Sequence, residues 1–187
     1  PRIKFVDISE SVRFNPSETD YIEALGPSTR VVIVVHTYGI TTPTSRLKAI
    51  CQQRDIILIE DVAEVIGATN NNAVVGSNAD FVVCSFYVNK FITTGEGGAV
   101  LTSNDSAKRF MEDYKNLNFA SNQRFLSNGY GTNYRINGLG AALGLASFVN
   151  LQHTVRRKDE VAQEYIRLLT EVEEIDLPLD CNWGIKN

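Results

Sequence analysis

Two apolar runs constrain the fold most: Val-Val-Ile-Val-Val at 31–35 and Ile-Ile-Leu-Ile at 56–59. Runs this short, rich in β-branched residues and without polar alternation, are expected of strands buried on both faces. Between them, residues 44–53 place Leu47 and Ile50 at helical spacing. A strand–helix–strand order implies parallel strands, since the return crossover needs about a dozen residues, whereas an antiparallel pair closes through a tight turn. Residues 81–84 and 99–101 read as a third and fourth strand, residues 3–7 as another, and 17–25 as a short helix. The expected class is α/β with a mostly parallel sheet and flanking helices.

The rest is less regular. Residues 70–72 are a run of three asparagines and read as a turn. Asn104 and Asp105 precede a helical pattern through Ala107, Phe110, Met111 and Tyr114. Residues 116–130 show no clean period and read as an irregular loop, long for a compact domain without a functional reason. Residues 137–169 form a long helical region with an expected break near Val155. Its first half presents an apolar face of Ala141, Ala142, Leu145, Phe148 and Val149, and its many small residues permit close approach of another element. Residues 175–187 begin with a strand-like Leu-Pro-Leu.

The chain has 187 residues and a net charge of -4, which argues against nucleic acid or an anionic membrane as partner. Its short basic cluster, Arg156, Arg157 and Lys158, is flanked by Asp159 and Glu160 and reads as a solvated helix face. Cys51, Cys84 and Cys181 match no metal spacing and read as free thiols in a reducing compartment. No apolar run approaches the roughly 18 residues of a membrane helix, and no signal peptide is evident, so a cytoplasmic location is expected.

Asp61 follows the second apolar run, Ser85 follows the third, and Lys90 lies five residues beyond Ser85, before Thr93-Thr94-Gly95-Glu96-Gly97-Gly98. In open α/β sheets, ligands bind beyond the carboxyl ends of the strands. Pyridoxal phosphate (PLP) would use every member of this set. Lys90 offers an amine for a Schiff base. Asp61 offers a carboxylate to keep the pyridine nitrogen protonated. Ser85 offers a hydroxyl to the phosphate. Taken alone, these residues leave PLP as one possibility among several phosphate-binding sites.

The stretch Ser85-Phe86-Tyr87-Val88-Asn89-Lys90-Phe91 through Gly98 resembles the cofactor-lysine segment of the DegT/DnrJ/EryC1/StrS sugar aminotransferases. Ile59-Glu60-Asp61-Val62-Ala63-Glu64, Val35-His36-Thr37-Tyr38-Gly39, and Gly131-Thr132-Asn133-Tyr134-Arg135-Ile136-Asn137 with Ala141 to Leu145 are similar to further blocks in the same order. The resemblance implies a fold type I PLP-dependent transferase, with an aspartate-aminotransferase-like large domain. Residues 1–150 would be part of that domain, and 151–187 a linking helix and the start of a small C-terminal domain. Lys90 would be the Schiff-base lysine and proton carrier, Asp61 the pyridine partner, Glu64 a polar neighbour of the ring and Ser85 a phosphate ligand. Asn133 would reach the phosphate in the neighbouring subunit of a homodimer with shared active sites. No metal is implied. Thr132 stands where an aromatic residue is common in the family.

The implied reaction is transfer of an amino group, with glutamate as donor, to a nucleotide-linked 4-keto-6-deoxy sugar, as in perosamine and polysaccharide biosynthesis. Relatives with His at the lysine position act as 3-dehydratases, and Lys90 favours transamination instead. Two alternatives are a PLP-dependent sugar dehydratase and a non-catalytic remnant that keeps only the sheet and the dimer surface. The resemblance covers about half of a family enzyme, so a glycine- and threonine-containing phosphate loop and most of a C-terminal domain are expected outside this sequence.

Overall fold

The computed structural model describes residues 2–8, 14–70, 73–120, 123–175 and 177. Its centre is a four-stranded sheet in the order β1 (Val31–Val35), β2 (Ile57–Asp61), β5 (Phe81–Ser85), β6 (Gly98–Leu101). The first three strands are parallel, and β6 runs antiparallel to β5. The expected mostly parallel sheet is therefore present. Its last strand turns back because the chain from β5 to β6 is a loop without a crossover helix. Asp61 and Ser85 are the last residues of β2 and β5, so the strands carry these polar groups out at their carboxyl ends.

Helices α1 (Glu18–Ala24) and α2 (Ser45–Gln53) cover one face of the sheet. Ser17 caps α1 in a reciprocal capping box with Asp20, which satisfies backbone donors at the helix start. Tyr21, Leu47 and Cys51 pack here against Val32, Val34 and Leu58. Burying each large side chain contributes about 1.5–3 kcal/mol. Burial of β1 on both faces, expected from its composition, is not found: Val31, Ile33 and Val35 are exposed. Alternate strand residues face opposite sides, and among the described residues α1 and α2 cover only one of them.

Asp80 ties α2 to the sheet. Its carboxylate accepts from Leu58 N–H at 2.8 Å and from Lys48 Nζ at 2.5 Å. Burial alone would raise this carboxyl, but the Lys48 and Leu58 hydrogen bonds and the Lys48 charge outweigh it, so its pKa lies below the ordinary value.

Beyond β2, β3 (Thr69–Asn70) and β4 (Ala73–Val74) pair antiparallel on either side of residues 71–72, which lie outside the described residues with two of the three expected turn asparagines. Helix α3 (Asp105–Lys115) starts at Asn104, whose side chain accepts from Ser106 and Ala107 N–H. Residues 116–130 are not an irregular loop. They contain an antiparallel pair, β7 (Phe119–Ala120) and β8 (Gln123–Ser127), with an irregular register. Positive φ at Leu117, Asn118 and Phe125 explains why no strand periodicity shows.

Helices α4 (Gly138–Val149) and α5 (Leu151–Leu169) break at Asn150, not near Val155. Asn150 caps the end of α4 by donating from Nδ2 to Ala146 O at 2.9 Å. The buried residues of α4 are Gly140 and Gly144, whereas Leu145, Phe148 and Val149 are exposed. The expected strand at 3–7 is also absent, since Ile3 and Phe5 are exposed and join no ladder. Cys181 and most of the strand-like tail lie outside the described residues. Cys51 and Cys84 are free thiols.

Candidate active site

Lys90 sits on a structured loop between β5 and β6. Phe86 N–H donates to Gly97 O and Thr94 N–H to Phe86 O, both at 2.9 Å, so the two strands of the loop continue the sheet outward. Lys90 N–H closes a turn on Tyr87 O at 3.0 Å. Helix α4 braces the loop from behind. Thr93 N–H donates to Ser147 Oγ at 3.1 Å. A Cβ at Gly144 would come within 2.8 Å of Thr94 Cγ2, and one at Gly140 within 3.0 Å of Thr94 O. Small residues in α4 are thus what allow the helix to reach the lysine loop.

The Lys90 side chain is 19% exposed, and its Nζ lies 3.6 Å from Glu64 Oε1. Glu64 Oε2 accepts from Tyr38 N–H at 2.7 Å. These residues line a cavity of about 740 Å³ whose far wall is α5, including Val155, Lys158 and Tyr165. The basic cluster is exposed, as expected of a solvated face, and Arg157 and Lys158 also border the cavity. Lys158 Nζ stands 4.9 Å from the centre of the Phe91 ring, while Arg157 pairs with Glu160 on the surface at 2.7 Å.

Asp61 lies three residues before Glu64, and its Oδ1 accepts from Ala63 N–H at 3.0 Å. On the adjacent strand, burial pushes the Cys84 thiol above its ordinary value, and the nearby Asp61 adds to the rise. Ser85 Oγ accepts from Tyr87 N–H at 3.3 Å, which leaves the hydroxyl hydrogen for an acceptor. Asn133 is elsewhere. It bridges to Asn116, its Oδ1 accepts from Arg135 Nε at 2.8 Å, and it does not line the cavity. Of the five expected residues, Lys90 and Glu64 meet at the cavity, whereas Asp61 and Ser85 end the neighbouring strands and, like Asn133, do not line it. The Tyr38 amide and the α5 wall did not emerge as site elements from the sequence. A backbone amide carries no residue signal, and a charged helix face looks solvated whatever it lines.

The residues fit PLP: an amine on a braced loop at a cavity, with a carboxylate and a hydroxyl at adjacent strand ends. Among the described residues, no cluster of three or more His, Cys, Asp or Glu could hold a metal, and no helix is long and apolar enough to cross a membrane.

The sheet, its antiparallel last strand and the lysine after β5 are the architecture of a fold type I PLP-dependent transferase large domain. The DegT/DnrJ/EryC1/StrS aminotransferase family model matches residues 2–182, and the chain belongs to that family. GDP-perosamine synthase of Escherichia coli O157:H7 is 29% identical over 91% of this chain and 47% of its own length. The aminotransferase TlmJ of Streptoalloteichus hindustanus superposes with a TM-score of 0.79 at 26% identity, over 93% of this chain and 48% of that one. A GDP-4-keto-6-deoxymannose-3-dehydratase with bound GDP-perosamine gives a TM-score of 0.78 at 25% identity, over 91% and 48%. The chain spans about half the length of the curated relatives it matches.

Proposed function

We propose that these residues serve a PLP-dependent aminotransferase that moves an amino group from glutamate to a nucleotide-linked 4-keto-6-deoxy sugar. The observation that carries this reading is Lys90, held on a braced loop at the cavity with Glu64 3.6 Å away. Residues 1–150 then belong to the PLP-binding large domain, and 151–187 lead into a small C-terminal domain. When bound, PLP supplies an electron sink for charge that develops on the substrate carbon. Lys90 would anchor it covalently and, once released, act as the base that takes up and returns the proton of the 1,3-shift. Asp61 holds a proton on the pyridine nitrogen, Glu64 borders the ring and Ser85 donates to the phosphate. Asn133, which does not line the cavity, serves the site of a second subunit in a homodimer. The free thiols Cys51 and Cys84 agree with a cytoplasmic enzyme.

Product analysis of the complete protein with a GDP-linked 4-keto-6-deoxy sugar tests the reading. Amino sugar that forms only when glutamate is present supports transamination. A deoxygenated sugar would establish the dehydratase instead, and no product with PLP never taken up would establish a non-catalytic remnant.

A further inference from the structure

The site described above does not use the most deeply buried polar groups among the described residues. Asn15, His36 and Glu60 are each 1% exposed. Buried polar groups are costly unless hydrogen-bonded, so the partners of these three show what they hold. Glu60 Oε1 accepts from the Thr44 hydroxyl at 2.9 Å, and Oε2 accepts from Gly76 N–H at 2.9 Å. His36 Nε2 lies 3.1 Å from the same Oε2, and Thr42 N–H donates to His36 Nδ1 at 3.2 Å. Nδ1 is thus the acceptor, the ring hydrogen lies on Nε2, and His36 donates to Glu60. His36 N–H also donates to Asp61 O at 3.2 Å, so one residue grips both β2 and the following loop.

Asn15 grips the loop from its other side. Its Oδ1 accepts from Thr37 N–H at 3.1 Å, and its Nδ2 donates to Ile40 O at 3.0 Å. Ile40 N–H closes the turn on Thr37 O at 3.0 Å. The central residues Tyr38 and Gly39 have φ of 56° and 81°, the signs of a type I′ turn. Positive φ is unfavourable for tyrosine and persists only where the surroundings over-determine it. The product of this turn is the Tyr38 N–H, which holds Glu64 Oε2 while Oε1 faces Lys90.

We propose that Asn15 and the His36–Glu60 pair are positioning residues. They lock the Thr37–Ile40 turn so that the Tyr38 amide holds one oxygen of Glu64 and presents the other to Lys90. What Lys90 anchors rests on the proposed function, but the positioning can be measured without cofactor.

The measurement is competitive acylation of Lys90 by acetic anhydride in the complete apo protein, with exposed Lys115 as internal reference and thermal melting alongside. An ion-paired amine acylates more slowly than a free one. Glu64→Ala is expected to raise the relative Lys90 rate several-fold. Asn15→Leu should raise it by a similar factor, and the double variant by no more than either alone, the non-additivity of residues acting through one another. His36→Leu removes both the donor to Glu60 and the acceptor of Thr42 N–H and should reproduce the effect with Asn15 intact, which covers an Asn15→Leu variant that does not fold. An unchanged Lys90 rate in Glu64→Ala, or in both of the other variants, overturns the proposal, as does a double variant showing the product of the single effects. PLP titration of the unsubstituted protein separates the two claims. If Lys90 takes up no PLP while the acylation cycle behaves as expected, the functional reading fails and the positioning stands.

Discussion

Asp61 has two roles available to it, and one substitution separates them. It accepts from Ala63 N–H, as a capping residue would, and it sits at the carboxyl end of β2 beside the strand that leads to Lys90. Asp61→Asn keeps an oxygen for Ala63 but cannot hold a proton on a pyridine nitrogen. In the complete protein, turnover should fall on the order of 10²–10³-fold, the scale of losing one electrostatic contact to the reacting system. Loss of the cap alone would cost only about 0.5–2 kcal/mol of stability. Steady-state rates of the folded variant decide, and near-normal turnover would refute the role. The placement of Asp61, Ser85 and Lys90 was legible because apolar runs end where the strands end. The Tyr38 amide was not, because its direction is set by a positive φ that only tertiary contacts maintain.

Among the elements, α4 and the Lys90 loop form one unit. Gly144→Ala would place a methyl 2.8 Å from Thr94 Cγ2. Overpacking of this kind costs about 1–3 kcal/mol, and the variant should also bind PLP more weakly, since the displaced loop carries Lys90. Melting and PLP titration together measure both effects. The Lys48–Asp80 link between α2 and the sheet adds a pH dependence. The Asp80 carboxyl is depressed in the folded chain, so its contribution to stability is complete above its unfolded value, about 3.9. It is lost as the pH falls through the lower, folded value. Denaturant midpoints at pH 7 and pH 2.5 should show a smaller acid loss in Asp80→Asn than in the unsubstituted protein. The parallel strands and α1, α2 and α3 were legible from apolar runs and caps. The β7–β8 pair was not, because left-handed residues interrupt it, and neither was the break at Asn150, where the apolar pattern continues across a side-chain cap.

At the scale of the molecule, α4 divides its sides unequally. Gly140 and Gly144 are buried, while Leu139, Leu145, Phe148 and Val149 stand exposed. The sequence displayed the apolar side but not which side the lysine loop would take, since small residues signal close approach without naming the neighbour. A homodimer would cover the exposed side. Light scattering of the complete protein should give a dimer mass, and Leu139→Glu combined with Val149→Glu should shift it toward monomer and reduce activity. A fully active monomer would contradict the shared-site assembly and the role proposed for Asn133.

The proposed function depends on Lys90 as the anchor of PLP. Borohydride reduction of the PLP-loaded complete protein, followed by peptide mass mapping, tests it directly. The pyridoxyl label should fall on Lys90, and Lys90→Ala should lose both the label and transamination. A label on another lysine, or none despite bound PLP, would contradict the account.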